Sequence, residues 1–146
     1  MLIAGTGGLG VVGLTKLMAD CFGAHFPCVH TQETRGIAQR RAPVCSIVRA
    51  GRTIRSARLP DGLVDVVLAV EVAEALRAAA YMTAGTLCVL ADLSIPASGA
   101  MSAASSGVSV AQVVDALEAR GVQVLVVPVA HWLRSECLPD SRSAKS

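Results

Sequence analysis

The sequence predicts an α/β fold of three layers, with helices on both faces of a doubly wound, mostly parallel sheet and one inserted antiparallel hairpin. Two observations carry this. Short apolar runs alternate with amphipathic stretches along most of the chain, which is the pattern of βα units. Hydrophobic residues make up 53% of the 146 residues and aromatics only 3%, so the core must be Val, Leu, Ala and Ile. That composition suits strands buried on both faces. The length fits one domain, with residues 1–138 as its body and 139–146 as a polar, disordered tail.

The elements follow in order. "LIA" ends a first strand, and the glycine-rich "GTGGLG" turns the chain into a helix closed by Gly23. Along that helix Val11, Leu14, Met18 and Phe22 recur at helical spacing, with Lys16 and Asp20 on the other side. A short second strand is expected around Phe26 to His30, where Pro27 restricts it to an edge or a beginning. "TQETRGIAQRRAP", residues 31–43, reads as a polar loop. "VCSIVRAG" and "RTIRSARL" read as an antiparallel hairpin turning at Ala50-Gly51-Arg52.

The continuous apolar run "VDVVLAV" is expected to be a central parallel strand. "EVAEALRAAAYM" then reads as a helix, "TLCVLADL" as a strand, and residues 94–107, rich in Ser, Ala and Gly, as a flexible connection. Ser109 is placed to cap the helix "VAQVVDALEARG", with Gly121 as its stop. "VQVLVVPV" gives the last strand.

The glycines raise the first functional question. Gly5, Gly7, Gly8 and Gly10 stand between a strand and a helix, as in a Rossmann-like phosphate-binding turn. There one glycine permits the turn, one lets a pyrophosphate approach the backbone, and one lets helix and strand pack closely. An acidic residue about 20 positions on would hold the ribose of NAD or a flavin nucleotide. Glu33 stands near that distance. The same glycines also serve a purely structural strand-to-helix turn, and both readings stand at this point.

A net charge of +2 conceals a basic segment. Seven of the eleven arginines (Arg35, Arg40, Arg41, Arg49, Arg52, Arg55 and Arg58) lie in a window without Asp or Glu. Arginine forks suit phosphate, carboxylate or an acidic partner; they also guard exposed strand edges. The window has no aromatic for stacking bases, which argues against nucleic acid. Five cysteines without a CxxC pair, and three histidines without ligand spacing, argue against a disulfide framework and a metal site. No apolar run approaches a membrane span, and no basic region precedes the first apolar residues, so a cytoplasmic protein is expected.

Four stretches in order carry a more specific signal: "GTGGLG", "TQETRGIAQRRAPVCSIVR", "VEVAEALRAAAYMTAG" and "LADLSIPA". Together they resemble the gamma subunit, or gamma domain, of 2-oxoacid:ferredoxin oxidoreductases, and most of all its indolepyruvate branch. The second stretch matches through Glu33, Gly36, Ala38, Gln39, Arg40 and Arg49. The third matches through Glu71, Glu74, Leu76 and Arg77, followed by Tyr81 and Gly85.

The resemblance implies a part of an enzyme, not the catalytic chain itself. In such complexes thiamine diphosphate and the iron–sulfur clusters sit on larger partner subunits. The complex decarboxylates a 2-oxoacid such as indolepyruvate or pyruvate, forms an acyl-CoA and passes electrons to ferredoxin. This chain would then dock on the larger subunits and contribute to coenzyme A binding. Gly5, Gly7, Gly8, Gly10, Gln39, Arg40 and Arg49 are its implied site, with no catalytic residue and no metal ligand. A free-standing NAD- or FAD-binding protein, with Glu33 on the ribose, is the alternative. The chain departs from the family pattern at Leu9, where Gln is usual, and at Arg41 and Ala42, which replace a pair of glycines. It also stops soon after the last expected strand, where relatives continue into further helix.

Overall fold

The computed structural model describes residues 1–35, 42–55, 62, 64–94 and 107–136. They form one six-stranded sheet in the order β2-β3-β1-β4-β5-β6. Its strands are β1 (Leu2–Thr6), β2 (Cys28–Arg35), β3 (Pro43–Gly51), β4 (Val66–Ala69), β5 (Leu87–Ala91) and β6 (Gln123–Val127). The helices are α1 (Val11–Gly23), α2 (Val72–Ala78), α3 (Val110–Glu118) and α4 (Val129–Glu136). β1, β4, β5 and β6 are parallel, while β3 runs antiparallel to both β1 and β2. The doubly wound, mostly parallel sheet expected from composition is present.

The helices divide between the two faces. Val11, Leu14, Met18 and Phe22 of α1 pack with Ile3, Val44 and Val48, so α1 covers the β1–β3 half of one face, with Val29 of β2 at its margin. On the opposite face Val72, Ala75 and Ala78 of α2, with Val113 and Leu117 of α3, pack with Leu2, Val67, Cys88 and Leu90. Leu2, Ile3, Val67, Leu90 and Val113 are fully buried. On the α1 side of β4, β5 and β6, by contrast, Leu68, Leu87 and Val89 are half-buried and Leu125 is 54% exposed.

Three expectations are corrected. The hairpin is formed by β2 and β3, paired from Cys28↔Gly51 to Arg35↔Val44, and not by residues on either side of Gly51. Residues 52–55 are not strand, and 56–59 lie outside the described residues. The polar loop expected from residue 31 begins later, because Thr31 to Arg35 continue β2. That strand is the sheet edge, and its solvent-facing residues leave no apolar alternation to read. Finally, the last strand ends at Val127, and residues 129–136 form α4. Its Ala130 amide donates to Asp92 Oδ1 at 2.7 Å, a cap supplied from a distant loop.

The cap on α3 is local and was legible. Ser109 Oγ accepts from the Gln112 amide at 3.2 Å while Gln112 Oε1 accepts from the Ser109 amide at 2.9 Å, a reciprocal capping box. Ser109→Ala removes the first acceptor, and a loss of about 1 kcal/mol is expected. Urea unfolding measures it; an unchanged midpoint would show that the cap contributes nothing. The helix stop also stands: Gly121 adopts φ 78, and a Cβ there would meet Ala84 Cβ at 3.0 Å. Residues 95–106 and the tail 137–146 lie outside the described residues.

Candidate functional site at the carboxyl edge of the sheet

In an open α/β sheet, ligands bind beyond the carboxyl ends of neighbouring strands whose following helices go to opposite faces. β1 and β4 are such a pair. They lie side by side, α1 follows β1 on one face, and α2 follows β4 on the other. The glycine turn sits at this switch point.

Each glycine has a separate role. Gly5 is the fourth residue of β1 and faces α1; a Cβ built there would lie 2.1 Å from Val70 Cγ2 and 2.7 Å from Val11 Cγ2. It is the close-packing glycine. Gly8 and Gly10 take φ of 99 and 75, and a Cβ at either would meet none of the described residues within 4 Å. They make the turn and crowd none of the described residues. The Gly7 amide donates to the Ala42 carbonyl at 2.9 Å, and the Leu9 amide to the Thr6 carbonyl at 3.1 Å. These two donors are engaged by the chain itself. No side chain caps α1, whose N-cap is Gly10.

The Gly7–Ala42 bond locates the arginine segment. Thr6 is in register with Pro43, and Gly5 with Val44, which in turn pairs with Arg35. Both ends of the 36–41 connection therefore emerge at the edge that holds the glycine turn. Gln39 and Arg40 lie outside the described residues. Arg49 does not reach this edge. It sits six residues along β3 from Pro43, about 20 Å away at the rise of a strand.

There it lines a second concavity of about 520 Å³, together with Met1, Phe22, Phe26, Asp65 and Val66. The Met1 ammonium donates to the Val48 carbonyl at 3.0 Å. Burial lowers its pKa, Asp65 opposes the shift, and Arg49 adds to it.

Glu33 is also displaced from a ribose-binding position. It is in register with Ser46, and Ser46 with Ile3, below the level of the turn. β3 stands between it and β1, a separation of two strand spacings, about 10 Å. The inserted antiparallel strand thus takes the place where a dinucleotide fold keeps its second strand, and nothing in the arrangement favours NAD or a flavin.

The sequence did not point to the buried acidic groups of the crevice as a unit. Thr6 Oγ1, at the end of β1, donates to a carboxylate oxygen of Glu71, the residue that precedes α2, and both residues are buried. Glu74 lies one turn into α2 and pairs with Arg77. Burial pushes the Glu74 carboxyl up, the Arg77 guanidinium opposes this, and Glu71 adds to it. The Cys45 thiol is raised by burial and by Glu74. Thr6 and Glu71 are far apart in sequence, so their pairing became visible only when β1 and β4 became neighbours.

The raised Glu74 carboxyl has a definite sign. Its folded-state pKa exceeds the unfolded one, so its contribution is full below the unfolded pKa and is lost as pH rises through the folded value. Glu74→Gln removes that loss. Its pair with Arg77, whose side chain is 63% exposed, is worth no more than about 1 kcal/mol. The stability of the Gln variant relative to the parent is therefore expected to rise between pH 4 and pH 7. Parallel profiles in denaturant titrations across that range would contradict the assignment.

A glycine turn between a parallel strand and a helix, at a switch point of the sheet, defines a nucleotide-fold domain. The comparisons are more specific. The model of the pyruvate ferredoxin/flavodoxin oxidoreductase family matches residues 1–144, and the chain belongs to that family. It is 37% identical over 90 residues to indolepyruvate oxidoreductase subunit IorB of Archaeoglobus fulgidus, covering 62% of this chain and 44% of that one. With the subunit of the same name from Thermococcus kodakarensis it shares 33% over 87 residues, covering 60% and 43%. The matched stretch thus spans less than half the length of either relative. Pyruvate oxidoreductase subunit PORC from Thermotoga maritima has a similar backbone. The TM-score is 0.59 at 13% identity, over 93% of this chain and 65% of that one, so this likeness is one of fold.

Proposed function

We propose that this chain is the small, gamma-type subunit of a 2-oxoacid:ferredoxin oxidoreductase. The complex would release carbon dioxide from a 2-oxoacid such as indolepyruvate or pyruvate, transfer the acyl group to coenzyme A and reduce ferredoxin. Family membership across residues 1–144 supports the class. Among the described residues no three His, Cys, Asp or Glu side chains gather as a metal cage. In this reading the iron–sulfur clusters and thiamine diphosphate belong to the larger subunits. No helix among the described residues is long and apolar enough to cross a membrane.

The observation that favours a role in coenzyme A binding is the shared edge. Gly8 and Gly10, uncrowded by the described residues, lie at the same edge as both ends of the segment carrying Gln39 and Arg40. In this reading the turn accepts the phosphates and Arg40 pairs with them, while Arg49, at the far edge, belongs to a docking surface. Coenzyme A supplies the acceptor thiol; the residues of this chain bind and orient its polyanionic end.

The test is affinity capture of the chain from its native extract, with a visible spectrum and a dye-reduction assay. A brown complex that needs both a 2-oxoacid and coenzyme A is the expected result. A colourless chain recovered alone would remove the subunit reading. In the captured complex, Arg40→Ala is expected to raise the KM for coenzyme A about tenfold, the effect of one charge-assisted hydrogen bond. An unchanged KM would remove Arg40 from the coenzyme A site.

A further inference from the structure

The two edges of the sheet are built differently. β2 carries His30, Glu33 and Arg35 and follows Pro27, the usual guards against pairing with another chain. β6 carries no charge, and its flanking proline, Pro128, follows the strand. From Val122 to Val127 there is no charge and no proline, and no charged residue occurs until Arg134. Leu125 is 54% exposed on one face of β6 and Val126 39% on the other. Among the described residues no strand pairs with its outer side.

The hydrogen-bonding pattern fixes which groups that edge offers. The Gln123 amide donates to the Thr86 carbonyl at 3.0 Å, and the Val127 carbonyl accepts from the Asp92 amide at 3.1 Å. Gln123 and Val127 therefore point inward to the β5 side, and Leu125, in step with them, does the same. The amides and carbonyls of Val124 and Val126 point outward.

We propose that β6 is a self-pairing edge, on which a second copy of this chain adds its own β6 antiparallel across a two-fold axis at Leu125. In that register Val124 of each copy is opposite Val126 of the other, a hydrogen-bonded pair in which both residues exchange amide and carbonyl. Every outward group of the strand is then used. Leu125 meets its own counterpart in the close, non-hydrogen-bonded position. Centring on Val124 instead would set Val126 against Val122, whose amide is already bound to the Leu117 carbonyl. A neutral, apolar strand is compatible with a copy of itself; β2, with its charges, is not. This pairing is independent of the assignment to an oxidoreductase complex.

Light scattering of the full chain across a concentration series tests it. The expected mass is twice the 15.0 kDa of one chain. Leu125→Lys places like charges opposite each other and is expected to halve the mass, whereas Leu17→Lys on exposed α1 leaves it unchanged. Leu125→Cys is expected to form an oxidised dimer, since Cα atoms in such a pair are about 4.5 Å apart, within disulfide reach. Gln123→Cys is expected to form none, which keeps the test decisive should the Lys variant fail to fold. A monomer at every concentration, a dimer indifferent to Leu125→Lys, or equal cross-linking at both cysteines would each overturn the proposal. A monomer that nevertheless captures a brown partner would leave the subunit reading standing alone.

Discussion

Gly5→Ala is expected to destabilise the protein by about 2–3 kcal/mol, although it adds one methyl group. At 2.1 Å from Val70 Cγ2 and 2.7 Å from Val11 Cγ2, the new carbon overlaps two β-branched side chains. Their χ1 angles are stiff, and both pack in the cluster between α1 and the sheet, Val11 being 3% exposed and Val70 half-buried. Relief requires lifting α1 from β1 or moving β4. The entropy that alanine removes from the unfolded chain offsets less than about 1 kcal/mol of this. A chain of this size loses about 2–4 °C per kcal/mol, so thermal unfolding should fall by about 5–10 °C.

Val70→Ala in the same background should recover much of the loss, because it removes the nearer atom. Gly8→Ala separates strain from crowding: its φ of 99 is costly, about 1–2 kcal/mol, but its surroundings are open. A Gly5→Ala variant as stable as the parent would mean that β1 and α1 do not approach as described.

The second large effect is expected at Thr6. Thr6→Val keeps the shape of the side chain and removes the hydroxyl that donates to Glu71. A carboxylate 5% exposed then loses its donor, at a cost of about 2–3 kcal/mol. Glu71→Ala costs a similar amount for the converse reason, since it strands the hydroxyl. Thr6→Val combined with Glu71→Met removes both polar partners and should cost much less than the sum of the single losses. A double-mutant cycle in urea measures the coupling; strict additivity would show that the two side chains do not interact. The bond ties the end of β1 to the start of α2, so under the proposed function coenzyme A binding is a second readout.

The legible parts of the fold were those written in short-range patterns. The helical stripe of α1, the apolar runs of β4, β5 and β6, and the Ser109–Gln112 box each lie within a few residues. What was misread depends on distant partners. Thr31 to Arg35 have no apolar alternation and become strand only because β3 holds them in register. β3 itself pairs backward to β2, a choice that neither stretch reveals alone. α4 starts after a proline and is capped by Asp92, far upstream in the chain. The site was read unevenly for the same reason. The glycine turn is local and was legible, with Gly5 doing the packing and Gly8 and Gly10 the turning. Glu33 was at the right sequence distance for a ribose, but β3 stands between it and β1. Arg49 was grouped with Arg40 by sequence, and an extended strand carries it to the far edge.

The central place of β1 has a consequence for how the chain assembles. Its neighbours are β3 and β4, both of which follow it in sequence. During synthesis β1 therefore leaves the ribosome before either partner, unpaired until residue 51 has followed it and paired on one side alone until residue 69 has. The β2–β3 hairpin, with the nearest partners, is free to form during that delay and offers β1 one ready edge. Slow non-local pairing of this kind leaves a nascent chain open to aggregation. Whatever shields β1 during that interval would thus raise the yield of folded chain.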